Sequence, residues 1–417
     1  MCNNVNMSKR IERYIEETAF SERFSRQMRF ISGPRQSGKT TIAKSALEKN
    51  KSGLYYYNWD RRELRERYRN EIDFLANDLL KNGDRGRKIS VCFDEIHKYP
   101  KWKNILKDFF DTYETKLNII VTGSARLDMF NKAGDSLAGR YFLFRLNPLI
   151  LAEVLGKKYE NILPDKTALK YVEKNISGNR FEQKAMETLM QFSGFPEPFL
   201  NQDAVFSKSW HAEYLEKTVK EDLRDLSAIH QLQKVSDLDY LLLSKIAAPL
   251  SINSLREDLE LNFNTVKNYV KYLTLSYAIF EVPPYYKKGN RLVKKEKKVY
   301  FYDWVSVKGD AEKFENYVAV ELKSRVDLWN STLADTYALY FVKARGETET
   351  DFMITKNSTP YLLVEAKLSS EKIEKHHYQH STMFDDIPYV QLVASENILK
   401  VEQERFFVVS ASRFFAG

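Results

Sequence analysis

The sequence predicts a multidomain α/β protein whose first domain is built on a parallel β-sheet. Two short apolar runs support this, residues 28–32 and 89–93. The first ends at a glycine-rich turn that leads into a helical stretch, and the second ends at two acidic residues. Such runs are typical of strands that helices cover on both faces. At 417 residues the chain is too long for one ordinary core, so we expect more than one domain.

The composition indicates a soluble globular protein. Hydrophobic residues make up 43% of the chain and charged residues 29%. No uninterrupted apolar run approaches the ~20 residues that a membrane span requires, and residues 1–17 lack the apolar core of a signal peptide. The two cysteines, Cys2 and Cys92, form no disulfide framework. We therefore expect a cytoplasmic protein without membrane association.

The glycine-rich turn GPRQSGKT, residues 33–40, matches the pattern G-x-x-x-x-G-K-[ST]. In such a turn, backbone N–H groups and the positive end of the following helix hold phosphate groups. Lys39 is expected to reach the β- and γ-phosphates of ATP, and Thr40 to hold Mg²⁺. The predicted phosphate-binding residues are Gly33, Pro34, Arg35, Gln36, Ser37, Gly38, Lys39, Thr40 and Thr41.

The acidic pair Asp94 and Glu95 follows the second apolar run. In open α/β sheets, ligands bind at the carboxyl ends of the strands. Asp94 is therefore expected to bind the nucleotide and to coordinate its Mg²⁺ through water, while Thr40 holds the ion. Glu95 is expected to polarise the attacking water as a general base. A small-molecule kinase needs no base for water, so the pair favours ATP hydrolysis.

Three further side chains are candidates for the catalytic machinery. The strand predicted within residues 116–127 ends at Thr122, Gly123 and Ser124. Thr122 or Ser124 would hydrogen-bond the attacking water or the γ-phosphate, and the sequence leaves open which of them does. Arg140 precedes another apolar strand and could reach a nucleotide on a neighbouring subunit, with Arg126 as the alternative.

The order of these motifs resembles that of the bacterial and archaeal AAA+ ATPases that carry a C-terminal domain of formerly unknown function. The resemblance rests on GPRQSGKTT, FDEIHKYPKW, VTGSARLDMF, SLAGRYFLFRLNPL, FSGFPEPFL, VPPYYKKGNRLVKKEKKVYFYD, FENYVAVEL, TDFMI and LLVEAKLSS, and it covers nearly the whole chain. It implies a P-loop AAA+ core, a winged-helix-like middle and a C-terminal fold similar to PD-(D/E)xK nucleases. It also makes a homo-oligomer plausible.

We expect the AAA+ core at residues 1–155, a helical region at 156–235, the winged-helix-like domain at 236–305 and the nuclease-like domain at 306–417. The winged-helix-like domain would have helices at 238–248, 251–260 and 262–277, followed by a hairpin within 285–303 that carries seven basic residues. Its third helix could enter a DNA major groove, and the hairpin could follow phosphates. A role as a lid or a protein-docking module is the alternative.

The C-terminal third contains a second candidate site. Glu315 and Glu321 lie on a predicted amphipathic helix, and Asp351 begins a predicted strand. Glu365 and Lys367 are two positions apart on another strand, so they point to the same face. Two carboxylates can bind Mg²⁺, and a neighbouring lysine can activate water. The alternative is a fold retained for docking, with its acidic residues solvated.

Together these features predict an ATPase that couples ATP turnover to a conformational change on or near DNA. The net charge of +8 is compatible with an anionic partner but does not require one. The alternative is a nucleotide-controlled module that binds proteins or assembles with copies of itself. In that alternative the nuclease-like domain is inert.

Overall fold

The computed structural model describes residues 10–82, 88–123, 136–178, 181–217, 232–285, 296–344, 348–370 and 372–417. These residues form a five-stranded, a two-stranded and a six-stranded sheet, with helices around and between them. Among the helices so described, none is both long enough and apolar enough to cross a membrane.

The five-stranded sheet is parallel throughout, as the apolar runs predicted. Its strands are β1 Met28–Ser32, β2 Tyr56–Asn58, β3 Ile89–Asp94, β4 Leu117–Thr122 and β5 Tyr141–Arg145, in the order β2-β3-β4-β1-β5. The accompanying helices are α1 Tyr14–Ala19, α2 Lys39–Lys49, α3 Arg62–Asn70, α4 Phe74–Asn82 and α5 Trp102–Tyr113. Every residue of β1 is buried, as expected of a central strand covered on both faces. The carboxyl ends of β1, β3 and β4 therefore meet at one edge.

A helical region follows the first sheet. It contains α6 Leu151–Val154, α7 Tyr159–Ile162, α8 Ala168–Ile176, α9 Gln183–Phe192, α10 Pro196–Asn201 and α11 Ala204–Lys217. Three further helices come next, α12 Leu232–Leu242, α13 Ile252–Leu259 and α14 Phe263–Leu275. The side chain of Ser251 caps α13 by accepting from Ser254 N, and Asn262 caps α14 by accepting from Thr265 N.

Two of the predicted elements in this region lie elsewhere than expected. Helix α12 starts and ends six residues before the predicted 238–248, because the chain turns after Leu242, where Lys245 N donates to Leu242 O (2.9 Å). The two-stranded sheet pairs β6 Ile279–Val282 with β7 Lys298–Phe301, so its first strand precedes the predicted 285–303. The reason is burial, since apolar side chains of both strands lie in the core. Residues 286–295 lie outside the described residues.

The six-stranded sheet is mixed. Helix α15 Asp310–Thr332 precedes it, and its strands are β8 Tyr337–Lys343, β9 Glu349–Lys356, β10 Thr359–Lys367, β11 Tyr389–Val393, β12 Leu399–Glu402 and β13 Phe406–Ser410. The order is β12-β13-β11-β10-β9-β8, with β10, β11 and β13 parallel and the other pairs antiparallel. Helices α16 Lys375–Met383 and α17 Ala411–Phe414 complete this part of the chain.

The helical region and the six-stranded sheet share one hydrophobic core. A single cluster of buried side chains extends from Leu149 to Ala416 and includes residues of α8–α14, β6, β7, α15 and the last sheet. Trp304, after β7, lies edge-on to Tyr317 of α15 with the ring centroids 5.3 Å apart. The three regions predicted after residue 155 therefore pack as one body around a common core.

Candidate functional site

The turn between β1 and α2 requires glycine at two positions. Gly33 has φ 147° and Gly38 has φ 98°, both in the region that residues with a Cβ rarely adopt. A Cβ on Gly33 would also lie 2.2 Å from the carbonyl oxygen of Leu146, which is far inside the van der Waals distance. These constraints bring the amino terminus of α2 to the carboxyl edge of the sheet.

The side chain of Lys39 folds back over this turn. Its Nζ donates to the carbonyl oxygens of Gly33 (3.0 Å) and Pro34 (2.6 Å), and the residue is buried. Ser37 Oγ is also buried and has no hydrogen-bond partner among the described residues. An ammonium that donates to two neutral carbonyls and a hydroxyl with unused capacity are donors that suit a phosphate group. The turn therefore fits a bound nucleotide.

Asp94 lies opposite this turn at the end of β3 and accepts hydrogen bonds from three hydroxyl groups. Thr40 Oγ1 donates to its Oδ2 (3.2 Å), Thr122 Oγ1 donates to its Oδ1, and the Tyr56 hydroxyl donates to its Oδ2. Asp94 is only 4% exposed. The contact between Thr40 and Asp94 joins the two oxygen ligands that the sequence predicted for Mg²⁺, a cation that prefers oxygen donors.

Tyr56 is a member of this site that the sequence did not indicate. It lies on β2, where its backbone position pairs with Cys92 of the neighbouring β3. Burial raises the pKa of its hydroxyl, and the hydrogen bond to Asp94 raises it further. Tyr56 therefore stays protonated and acts as a permanent donor to the Asp94 carboxylate.

Glu95 follows β3 in a left-handed backbone conformation, with φ 58°, and its N–H donates to Thr122 O (2.9 Å). Its carboxylate lies 3.4 Å from Lys98 Nζ and 3.5 Å from His97 Nε2. Burial raises the pKa of the Glu95 carboxyl, against the opposing effect of the positive charges of Lys98 and Lys39. A raised pKa makes the carboxylate a better proton acceptor, as a general base requires.

Arg140 is not part of this site within one chain. Its carbonyl oxygen accepts from Met28 N (2.8 Å), which places it at the amino end of β1, the opposite edge of the sheet from Gly33. Its guanidinium forms two hydrogen bonds with Asp111, of 2.7 and 3.0 Å. The predicted role of Arg140 is thus restricted to a nucleotide on another subunit.

Of the remaining candidates Thr122, Ser124 and Arg126, the structure describes only Thr122. Thr122 lies beside Asp94, as described above, whereas Ser124 and Arg126 lie outside the described residues. The choice between Thr122 and Ser124 as the residue that contacts water therefore stays a prediction.

Arg13 contacts the backbone of the turn, and the sequence did not indicate this role. Its Nη1 donates to Ser37 O (3.0 Å), its Nη2 donates to Asn147 O, and its Nε pairs with Glu153 Oε2 (3.1 Å). Arg13 is 6% exposed. No sequence motif distinguishes it from the other lysines and arginines of the chain, which has 65 such residues in all.

Two residues of the regions that follow the first sheet also lie close to the turn. The Tyr277 hydroxyl donates to Ser32 Oγ (2.9 Å), and Ser32 is the last residue of β1 before Gly33. Pro196, in the segment FSGFPEPFL, has its Cγ 3.9 Å from the point where a Cβ on Gly38 would lie. The candidate nucleotide site is therefore in direct contact with the region that follows the first sheet.

The predicted C-terminal residues Glu315, Asp351, Glu365 and Lys367 also come together, whereas Glu321 pairs with Arg325 of its own helix. Asp351 N donates to Glu365 Oε2 (3.0 Å), and Ala366 N donates to Asp351 Oδ2 (3.0 Å). Lys367 Nζ lies 2.7 Å from Glu365 Oε1. Burial raises the pKa of Glu315 to about 8 and that of Glu365 to about 8, and the negative charge of Asp351 adds to both.

A second lysine, Lys298, occupies the centre of these carboxylates. Its Nζ lies 3.1 Å from Glu315 Oε1, 3.2 Å from Asp351 Oδ1 and 2.6 Å from Glu349 Oε1. The sequence suggested only that Lys298 was one of seven basic residues on a hairpin. Within the described part of the chain, no group of three or more His, Cys, Asp or Glu residues is arranged to hold a metal ion.

The comparisons with known proteins bear mainly on the first domain. Residues 25–155 match the family model described as an AAA domain. We call residues 25–155 the AAA domain after this model. Residues 183–305 match a second model, described as a domain of unknown function (DUF8612). The AAA domain thus contains the turn, Asp94 and Glu95, and the second match begins after it.

Two similar proteins come from Methanocaldococcus jannaschii, and both are described as uncharacterized. MJ1544 is 25% identical over 342 residues, which are 79% of this chain and 72% of that protein. MJ1637 is 24% identical over 310 residues, which are 70% of this chain and 63% of that protein. The chain therefore spans less than two thirds of the second relative.

Among solved structures, similar chains include the Aeropyrum pernix ORC1 protein in complex with DNA and the replication initiator DnaA bound to AMPPCP and single-stranded DNA. The ORC1 match has a TM-score of 0.30 and 14% identity, covering 73% of this chain and 92% of that one. The DnaA match has a TM-score of 0.31 and 13% identity, covering 62% and 86%.

Proposed function

We propose that the protein binds ATP with Mg²⁺ at the turn of residues 33–41 and hydrolyses it. The observation that carries this proposal is the contact between Thr40 and Asp94, with Lys39 and Glu95 at the same edge of the AAA domain. The turn supplies the phosphate donors and the hydroxyl–carboxylate pair supplies oxygen ligands for the metal.

Each side chain would have a distinct task. Lys39 would exchange its two carbonyl partners for phosphate oxygens, and Thr40 and Asp94 would hold Mg²⁺. Bound Mg²⁺ supplies charge that offsets the charge developing on the phosphate oxygens. Glu95 would take the proton of the attacking water, and Thr122 would orient that water or the carboxylate of Asp94.

A binding measurement tests the first step. Lys39→Ala should weaken the binding of a fluorescent ATP analogue at least tenfold, because the ammonium that contacts the phosphates is gone. Lys49→Ala is the matched control, since Lys49 is an exposed lysine near the end of the same helix. Unchanged affinity in Lys39→Ala would contradict the assignment of the site.

We further propose that ATP turnover changes the packing between the AAA domain and the region around α14, on or near DNA. The supporting observations are the hydrogen bond of Tyr277 to Ser32, the residue just before the turn, and the proximity of Pro196 to Gly38. The basic residues of 285–303 are the candidate contact with DNA phosphates. A gel-shift series in increasing salt tests this, and a steep loss of DNA affinity with salt is expected.

The second candidate function is a nucleotide-controlled binding module with an inert nuclease-like domain, acting on a protein partner or on copies of itself. The position of Lys298 among the C-terminal carboxylates favours it. Incubating plasmid DNA with the protein and Mg²⁺ separates the two functions. Cleavage that is lost in Lys367→Ala would support a nuclease, whereas intact plasmid supports the binding module.

A further inference from the structure

Three of the C-terminal acidic residues contact the ammonium group of one lysine of the chain, Lys298. We call Glu315, Glu349, Asp351 and Glu365 the carboxylate cluster. Lys298 is 1% exposed, and its ammonium is within 3.2 Å of one oxygen from each of the first three members. An ammonium that contacts three carboxylates supplies the positive charge without which their burial would be very costly.

Six of the eight oxygen atoms of the carboxylate cluster face donors of the chain, with Glu349 Oε1 facing Lys298. Asp351 Oδ1 faces Lys298, and Asp351 Oδ2 accepts from Ala366 N. Glu365 Oε1 faces Lys367, and Glu365 Oε2 accepts from Asp351 N. Glu315 Oε1 accepts from both Lys298 and the Tyr300 hydroxyl (2.7 Å).

The fold holds Lys298 in this place. Lys298 begins β7, where it pairs with Val282 of β6 and forms an isolated bridge to Pro249. Its ammonium also lies 5.6 Å from the centre of the Phe341 ring. A lysine whose backbone is paired on both sides has little freedom to withdraw, unlike a lysine on an exposed loop.

We propose that the ammonium of Lys298 takes the place of a divalent cation in the carboxylate cluster. As folded, the cluster then binds no metal, and removing the ammonium turns it into a divalent-cation site. The inference deepens the second candidate function, because it gives the physical reason for an inert domain. The proposal about Lys298 does not depend on ATP binding, so it and the proposed ATPase function can fail separately.

Mn²⁺ binding measured by calorimetry without nucleotide tests this proposal. Every protein carries Asp94→Asn, which removes the only carboxylate among the two metal ligands proposed for the AAA domain, Thr40 and Asp94. The parent and Lys297→Ala should bind no Mn²⁺ at the cluster. Lys297 is the matched control because its ammonium instead pairs with Glu281 at the surface (2.6 Å). Lys298→Ala should gain one Mn²⁺ site, and adding Asp351→Asn should remove it.

Thermal unfolding provides a second readout. Lys298→Ala should melt at a lower temperature than the parent, because three carboxylates lose their counter-ion, and Mn²⁺ should reverse much of that loss. Should Lys298→Ala fail to fold, Lys298→Gln with and without Mn²⁺ serves in its place. The proposal is overturned if the parent binds one Mn²⁺ that Asp351→Asn abolishes, or if the folded Lys298 variants gain no Mn²⁺ site.

Discussion

The hydroxyl of Tyr277 donates a 2.9 Å hydrogen bond to Ser32 Oγ across 245 positions of the chain. Tyr277 follows α14 in a left-handed conformation, with φ 59°, and Ser32 ends the strand that leads into the glycine-rich turn. Both residues are buried. One buried polar contact thus joins the AAA domain to the helices that follow it.

Replacing Tyr277 with Phe should remove this hydrogen bond between the AAA domain and the helices that follow it, while ATP still binds. We expect a loss of about 1 kcal/mol in the free energy of unfolding, typical of one buried hydrogen bond. ATP affinity should change little, whereas the nucleotide-dependent change in hydrogen exchange over residues 263–282 should disappear. Tyr272→Phe, within α14, is the control and should keep that change. An unaltered exchange response in Tyr277→Phe would exclude this route of communication.

Replacing Glu95 with Gln should separate ATP binding from hydrolysis. The amide cannot accept the proton of water, so phosphate release should fall at least about hundredfold while affinity for ATP is kept. Glu63→Gln is the control because Glu63 is an exposed acid on α3. Normal turnover in Glu95→Gln would show that the general base is another residue.

Arg140 should act between subunits if it acts in catalysis at all. Its pair with Asp111 is largely at the surface, so Arg140→Ala should leave the melting temperature almost unchanged. Arg140→Ala and Lys39→Ala should each be inactive alone, and their mixture should recover part of the ATPase activity. In such a mixture, an Arg140→Ala chain keeps an intact turn and receives Arg140 from a neighbouring Lys39→Ala chain. Phosphate release from the mixture that stays at the level of the separate variants would argue against this role.

Gly33 should tolerate no side chain. A Cβ there meets the Leu146 carbonyl, and the φ of 147° is itself unfavourable for other residues. Gly33→Ala should therefore cost at least about 2 kcal/mol of stability and abolish ATP binding. Gly53→Ala is the control, because a Cβ at Gly53 has no heavy atom within 4 Å. Urea denaturation and nucleotide binding of both variants test this, and a stable, ATP-binding Gly33→Ala would contradict the turn geometry.

Asp239 should make stability depend on pH. It lies on α12 with no exposed surface, neither of its carboxylate oxygens has a hydrogen-bond partner among the described residues, and burial raises its pKa to about 7. The folded state therefore binds the proton more tightly than the unfolded chain does. Its contribution is most favourable below the unfolded pKa of about 4 and is lost as the pH rises towards 7.

Asp239→Asn removes this titration. Urea denaturation should show the variant to be more stable than the parent at pH 8, by up to a few kcal/mol, with the difference shrinking towards pH 4. Asp237→Asn is the control, because Asp237 accepts a hydrogen bond from Gln233 at the helix surface. A pH-independent difference between Asp239→Asn and the parent would show that another group causes the dependence.

The sequence by itself determined the elements whose chemistry is local. A strand, a glycine-rich turn and a helix follow each other without interruption, so the position of Lys39 and Thr40 follows from the chain order. The pair Asp94 and Glu95 ends a buried strand, and parallel strands bring their carboxyl ends to one edge. Likewise, two-residue spacing was enough to place Glu365 and Lys367 on one face of β10.

Only the tertiary structure decided which distant residues complete these sites. Tyr56, Arg13, Tyr277 and Lys298 reach them from other elements, and no spacing or periodicity along the chain marks them. The same holds for the separation of Arg140 from its own turn, which depends on β5 running parallel to β1. The physical reason is that these contacts are set by how sheets and helices pack, whereas the motifs depend on backbone geometry within a few residues.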